Sequence, residues 1–149
     1  MRILGLILAL ALAGSVAATA KAHDGSGANP RSGTLHLTKE CSEYNGNADS
    51  FCTIRTSNLP AITAGSRVVY LQAAGATSLD SDIVLVVGPG NYALGHVVLD
   101  LTTGLGEVTL SGGAGEFRSF HATVRVTPPG GANGADWAWD GKYRFSAQD

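Results

Sequence analysis

Two runs decide the fold. The first is Phe117-Arg118-Ser119-Phe120-His121-Ala122-Thr123-Val124-Arg125-Val126-Thr127, stopped by Pro128-Pro129-Gly130-Gly131, and the second is Trp137-Ala138-Trp139-Asp140-Gly141-Lys142-Tyr143-Arg144-Phe145. Both alternate apolar and polar residues with a period of two, the mark of a strand with one face in a core and the other in water. In the second run Trp137, Trp139, Tyr143 and Phe145 share a face with Gly141, while Asp140, Lys142 and Arg144 share the opposite one. Burying that many aromatic rings stabilises by several kcal/mol at ~25 cal/mol per Å², so the aromatic face is expected to point inward. In the first run Phe120, Ala122, Val124 and Val126 form one face, and Phe117, Ser119, His121, Thr123 and Arg125 the other. Gly141, in mid-strand, is expected to let the strand bend sharply or to leave room inside.

Upstream, short β-rich runs recur between Gly, Asn, Asp and Pro. They cover Thr34–Thr38, Phe51–Ser57, Ser66–Ala73, Asp82–Val87, Gly95–Leu101 and Glu107–Leu110. Gly88-Pro89-Gly90-Asn91 reads as a turn, Ser111-Gly112-Gly113-Ala114-Gly115 as a loop, and Pro60 to Gly65 has room for one helical turn. No stretch beyond the N-terminal segment sustains a 3.6-residue apolar repeat. Eight evenly spaced strands predict an all-β fold, an eight-stranded antiparallel barrel whose closure leaves no edge exposed.

The N-terminal segment reads differently. Arg2 is a short positive region, Ile3 to Leu12 an apolar stretch, and Ala20-Lys21-Ala22 an A-x-A cleavage pattern, with Ala18-Thr19-Ala20 as a second candidate. This is the layout of a secretory signal, and the apolar run is short for a span of roughly 20 residues. The expected organisation is therefore a signal peptide over 1–22, a flexible polar leader over 23–33 and a barrel domain over 34–149, in a secreted or periplasmic protein with no membrane span once the signal is removed. The two cysteines, Cys41 and Cys52, flank Asn45-Gly46, a hairpin signal. An even count in an exported chain predicts a disulfide between them.

Charge argues against two classes of partner. The formal net charge of −2 becomes −4 once Arg2 and Lys21 leave with the signal. Such a surface gives no basic footprint for nucleic acid and no polybasic anchor for acidic lipid.

A family resemblance rests on Gly90-Asn91-Tyr92-Ala93-Leu94-Gly95-His96, Leu99-Asp100-Leu101-Thr102-Thr103-Gly104, Thr109-Leu110-Ser111-Gly112-Gly113-Ala114-Gly115-Glu116-Phe117 and Phe120-His121-Ala122. This rhythm resembles the allene oxide cyclase and dirigent-like barrels over roughly Gly88 to Phe145. The resemblance implies an antiparallel eight-stranded barrel, often a homotrimer, open at one end to a small hydrophobic or phenolic molecule. In the cyclases a buried carboxylate assists ring opening; among Glu43, Glu107 and Glu116 no local pattern selects a counterpart.

Candidate site residues follow from these readings. Trp137, Trp139, Tyr143 and Phe145 are the residues expected to meet a ligand. His121, Tyr70 and Asp82 are weak catalytic candidates: an imidazole titrates near neutral pH, and a tyrosine at a barrel mouth can donate to a ligand. Arg67 is of the same kind as Tyr70. His96 and Asp100 lie on the same side of one strand about 13 Å apart, too far to touch, and Asp82 on the preceding strand is placed to neighbour either; the plain expectation for all three is an outward, solvated position. Cleavage after Ala22 would free His23 as an N-terminal copper ligand, but Asp24-Gly25-Ser26-Gly27 gives it no rigid frame. No zinc, calcium or nucleotide motif occurs, so no metal and no cofactor is expected. Two functions stand: ligand binding, with cyclase- or isomerase-like chemistry in the barrel, or a non-catalytic extracellular structural or interaction module.

Overall fold

The computed structural model describes residues 31–147. The expected signal segment 1–22, His23 and the expected leader up to residue 30 lie outside the described residues.

The chain forms eight strands in sequence order: β1 (Ser32–Glu40), β2 (Phe51–Ser57), β3 (Arg67–Tyr70), β4 (Ser78–Gly88), β5 (Asn91–Asp100), β6 (Gly106–Ala114), β7 (Phe120–Thr127) and β8 (Trp137–Phe145). Each pairs antiparallel with its neighbour, and β8 pairs back onto β1 to close the barrel. At the seam Ser32 lies opposite Arg144 and Lys39 opposite Trp137. Closure gives every strand a hydrogen-bonded neighbour on both sides, so the sheet has no free edge strand.

Several boundaries differ from the sequence expectation. β1 begins at Ser32, inside the stretch read as a leader, because its pairing with β8 runs to Ser32. β4 and β5 are longer than expected and meet at a tight turn through Pro89 and Gly90, the latter at φ +68°. β3 is shorter, Arg67–Tyr70, and Pro60 to Gly65 folds as turns rather than a helix. The supposed loop Ser111–Gly115 is mostly strand, since β6 runs to Ala114. Gly113 marks close packing rather than looseness: at its φ of +153° a Cβ would strike the Tyr92 carbonyl oxygen and lie 2.9 Å from the Ala93 Cα. Before β7 the chain makes a 3-10 turn at Gly115–Phe117. That turn swings Phe117 inward to full burial, against the expectation that it shares the outer face with His121.

The other facing predictions hold. Phe120, Ala122, Val124 and Val126 are buried, and Thr123 and Arg125 are exposed. Trp139 and Tyr143 are buried, with Trp137 and Phe145 packed partly buried against the same core. Gly141 answers the question its position raised. A Cβ there would strike the Thr123 carbonyl oxygen and sit 2.7 Å from the Val124 Cα, so the missing side chain lets the backbones of β7 and β8 approach closely.

The barrel interior is filled by side chains: Leu37, Val68, Leu85, Val108, Phe117 and Phe120 are completely buried. Its aromatic residues divide between the two ends. Phe117, Phe120, Tyr143 and Phe145 cluster at one, with neighbouring ring centroids 5.0–6.1 Å apart. Tyr44, Tyr70, Trp137 and Trp139 gather at the other, where β1 ends and β8 begins.

Candidate functional site

Alternation along β1 puts Leu35, Leu37 and Lys39 on the inward face. β2 carries one extra residue against Thr38/Lys39, so Thr38 pairs with Thr56 and Lys39 with Ile54, and Lys39 still points into the barrel. It is only 3 % exposed. Its Nζ donates to Tyr70 Oη at 2.6 Å and lies 3.6 Å from Cys52 Sγ and 3.8 Å from Cys41 Sγ. Those sulfurs form the predicted disulfide, which ties the end of β1 to the start of β2. The ammonium also lies over three rings, 5.3 Å from the centroid of Tyr70, 5.4 Å from Trp139 and 5.8 Å from Trp137. Ring quadrupoles replace part of the lost hydration.

They do not replace a counter-ion. Among the described residues no carboxylate pairs with Lys39, and none is buried. Burial lowers the Lys39 amine from the ordinary lysine range to about 7, so at neutral pH the charged and neutral forms coexist. Burial pushes the Tyr70 phenol up, with a smaller contribution from Tyr44, so Tyr70 keeps its proton. Two more polar atoms of this end, Tyr44 Oη and Trp139 Nε1, are buried with no hydrogen-bond partner. The rings of Tyr44 and Tyr70 are 4.8 Å apart. A cluster of aromatic rings therefore encloses an amine without a counter-ion and two polar groups without partners, an arrangement that proteins rarely leave without a role.

The three weak catalytic candidates do not converge. Tyr70 is inside, against Lys39. Asp82 is exposed on the outer face of β4, directly opposite His96. His96 is held between two carboxylates, with Nδ1 2.9 Å from Asp82 Oδ1 and Nε2 2.8 Å from Asp80 Oδ1. The hydrogen bond to Asp82 and the nearby charge of Asp80 raise the His96 pKa above its ordinary value. Asp100 is exposed and turned to its own loop, accepting from the Thr102 hydroxyl at 2.6 Å, which lowers its pKa. Arg67 also lies outside, stacked on Phe51 at 4.5 Å.

His121 sits on the outer face of β7, opposite Ser111 and Arg144 on the neighbouring strands. It lines an external groove of about 340 Å³ with Ser111, Thr109, Thr123, Lys142 and Arg144. Glu43, Glu107 and Glu116 are all exposed. The four aromatic candidates split, with Trp137 and Trp139 at the Lys39 end and Tyr143 and Phe145 at the other.

Lys39 is the residue the sequence reading missed. The signal was present, because extending the Leu35, Leu37 alternation by one step places Lys39 inward. No family model, curated protein or solved structure matches the chain. Among the described residues no helix is long and apolar enough to cross a membrane.

Proposed function

We propose that this is an exported β-barrel protein that binds a small hydrophobic or phenolic molecule at the Lys39 end of the barrel. The observation that carries the reading is the Lys39 amine, 3 % exposed, without a counter-ion and enclosed by Tyr70, Trp137 and Trp139. A ligand carboxylate or phenolate is the counter-ion this amine lacks, and the rings suit an apolar or aromatic body. Trp137, only partly buried, is the side chain whose movement would admit it. Tyr44 Oη and Trp139 Nε1 offer further hydrogen bonds to ligand oxygens. Export is supported by the signal-like segment 1–22 and the Cys41–Cys52 bridge. The cyclase- or isomerase-like chemistry implied by the family resemblance has Lys39 and Tyr70, rather than a carboxylate, as its available proton-transfer groups at this end.

Tryptophan fluorescence tests the reading, because both tryptophans face Lys39. Titration with p-coumarate, and with oleate as the aliphatic comparison, is expected to give a saturable change that Lys39→Met abolishes. A flat response to both, with no small molecule retained by the protein in native mass spectrometry, overturns it.

A second reading is favoured by one observation, the completely buried Leu37, Val68, Leu85 and Phe120 that fill the interior. On that reading the barrel is a non-catalytic structural or interaction module, and Lys39 is a buried cation held by rings alone.

A further inference from the structure

Lys39 faces the disulfide as closely as it faces the rings. Its Nζ is within 3.8 Å of both sulfurs, and the two cysteines differ in access: Cys41 is partly exposed, while Cys52 is 2 % exposed. The oxidised barrel thus holds a cation with no anion beside a bond whose cleavage produces one. We propose that the Cys41–Cys52 bridge is a polarised thiol–disulfide exchange site, in which a dithiol reductant attacks Cys41 and Cys52 leaves as a thiolate held by Lys39.

The thiolate of the reductant attacks Sγ of Cys41, the less buried of the two cysteines. A mixed disulfide forms between the reductant and Cys41, the Cys41–Cys52 bond breaks, and its electron pair departs on Cys52 Sγ. The reductant's second thiol loses its proton to solvent, and the resulting thiolate attacks the reductant's own sulfur in the mixed disulfide and expels Cys41 as a thiolate, which takes a proton from solvent. The reductant leaves as a cyclic disulfide, oxidised by two electrons, and the protein bridge is reduced by two. The remaining negative charge is the Cys52 thiolate, neutralised by the ammonium of Lys39. Exchange is faster when the leaving thiol has a lower pKa, and a neighbouring cation lowers it.

The groups facing Lys39 are Tyr70 from β3, Cys52 from β2, Cys41 and Trp137 and Trp139 from β8. None of them carries a negative charge at neutral pH while the bridge is intact, since Tyr70 is held protonated by burial. Cleavage therefore supplies the cluster's first anion. This does not depend on any ligand occupying that end.

Two measurements test the proposal. In the first, wild-type protein is incubated with glutathione, acid-quenched, alkylated and digested, and the mixed disulfide is located by peptide mass spectrometry. Glutathione on Cys41 and the alkyl group on Cys52 is expected; glutathione on Cys52, or on both equally, overturns the proposal. In the second, reduction by dithiothreitol at pH 7 is followed in wild type, Lys39→Met and Lys39→Arg. Lys39→Met is expected to slow reduction roughly tenfold and Lys39→Arg to restore most of the rate, because only the charge is needed at Cys52. Equal rates in wild type and Lys39→Met overturn it. The first measurement uses the unmodified chain, so a folding defect in either variant leaves the proposal open to refutation.

Discussion

Lys39 on β1 hydrogen-bonds Tyr70 on β3 at 2.6 Å, reaching past the intervening strand β2 inside the barrel. A bond that skips a strand can form only where the barrel wall curves enough to bring the inward side chains of β1 and β3 together. The same curvature draws Cys52 and the β8 tryptophans around the amine.

Burial of this amine makes stability depend on pH in a defined direction. The Lys39 pKa falls from 10.5 in the unfolded chain to about 7 in the fold. Between those values the unfolded chain holds the extra proton, so stability from this group rises as pH climbs from 7 towards 10.5, and below 7 the cost of the buried charge is complete. Lys39→Met removes that cost, amounting to several kcal/mol at pH 6, against about 1–3 kcal/mol for leaving the Tyr70 hydroxyl without its partner. Urea denaturation is expected to find the variant's advantage largest at pH 6 and shrinking by pH 9.5. An advantage independent of pH would contradict a lowered lysine pKa.

On the outer wall the carboxylate pair around His96 gives the opposite sign. A raised histidine pKa contributes stability that is complete below the ordinary value near 6.5 and is lost as pH rises through the folded value. NMR titration is expected to place His96 above the ordinary range. Asp82→Asn should lower its midpoint more than Asp80→Asn, since the Asp82 hydrogen bond is the larger cause. Identical midpoints in wild type and Asp82→Asn would refute this.

Gly141 is where the backbone of β8 leaves no room for a side chain against β7. Gly141→Ala forces a methyl into the Thr123 carbonyl and the Val124 Cα, both backbone, so neither can rotate away. The expected loss is about 3 kcal/mol or more, with the β7–β8 amides losing hydrogen-exchange protection first. Unchanged thermal stability would show that the strand has slack the packing denies.

The bridge at the barrel end closes a short loop between β1 and β2. The unreduced protein is expected to be lighter than its dithiol form by two hydrogen atoms. Replacing both cysteines with serine should cost about 3 kcal/mol on the chain-entropy account, without altering the far-ultraviolet spectrum of the barrel. Free-thiol labelling of Cys41 or Cys52 in unreduced native protein would contradict the bridge.

What alternation could reveal, it revealed locally. The limits of β8 and the inward face of Trp139 and Tyr143 follow from period two within nine residues. The adjacency of Asp82 and His96 follows from pairing successive strands. Glycine misled at Gly113, where a loop signature conceals a strand pressed against Tyr92 and Ala93. Phe117 escaped because a 3-10 turn breaks the two-residue count before β7. Lys39 escaped for a different reason. A lysine at a strand end is read as solvated, and its burial depends on Tyr70 and Trp137, which arrive from strands remote in sequence. The chemistry of the candidate site therefore emerges only when the ring is closed.

That ring has a further consequence. Every strand neighbours its successor in the chain, and the last neighbours the first, so the order of pairings around the circle has no privileged origin. A permuted chain, cut at Pro89–Gly90 and joined by a linker across the old termini, would present the same partners to every strand.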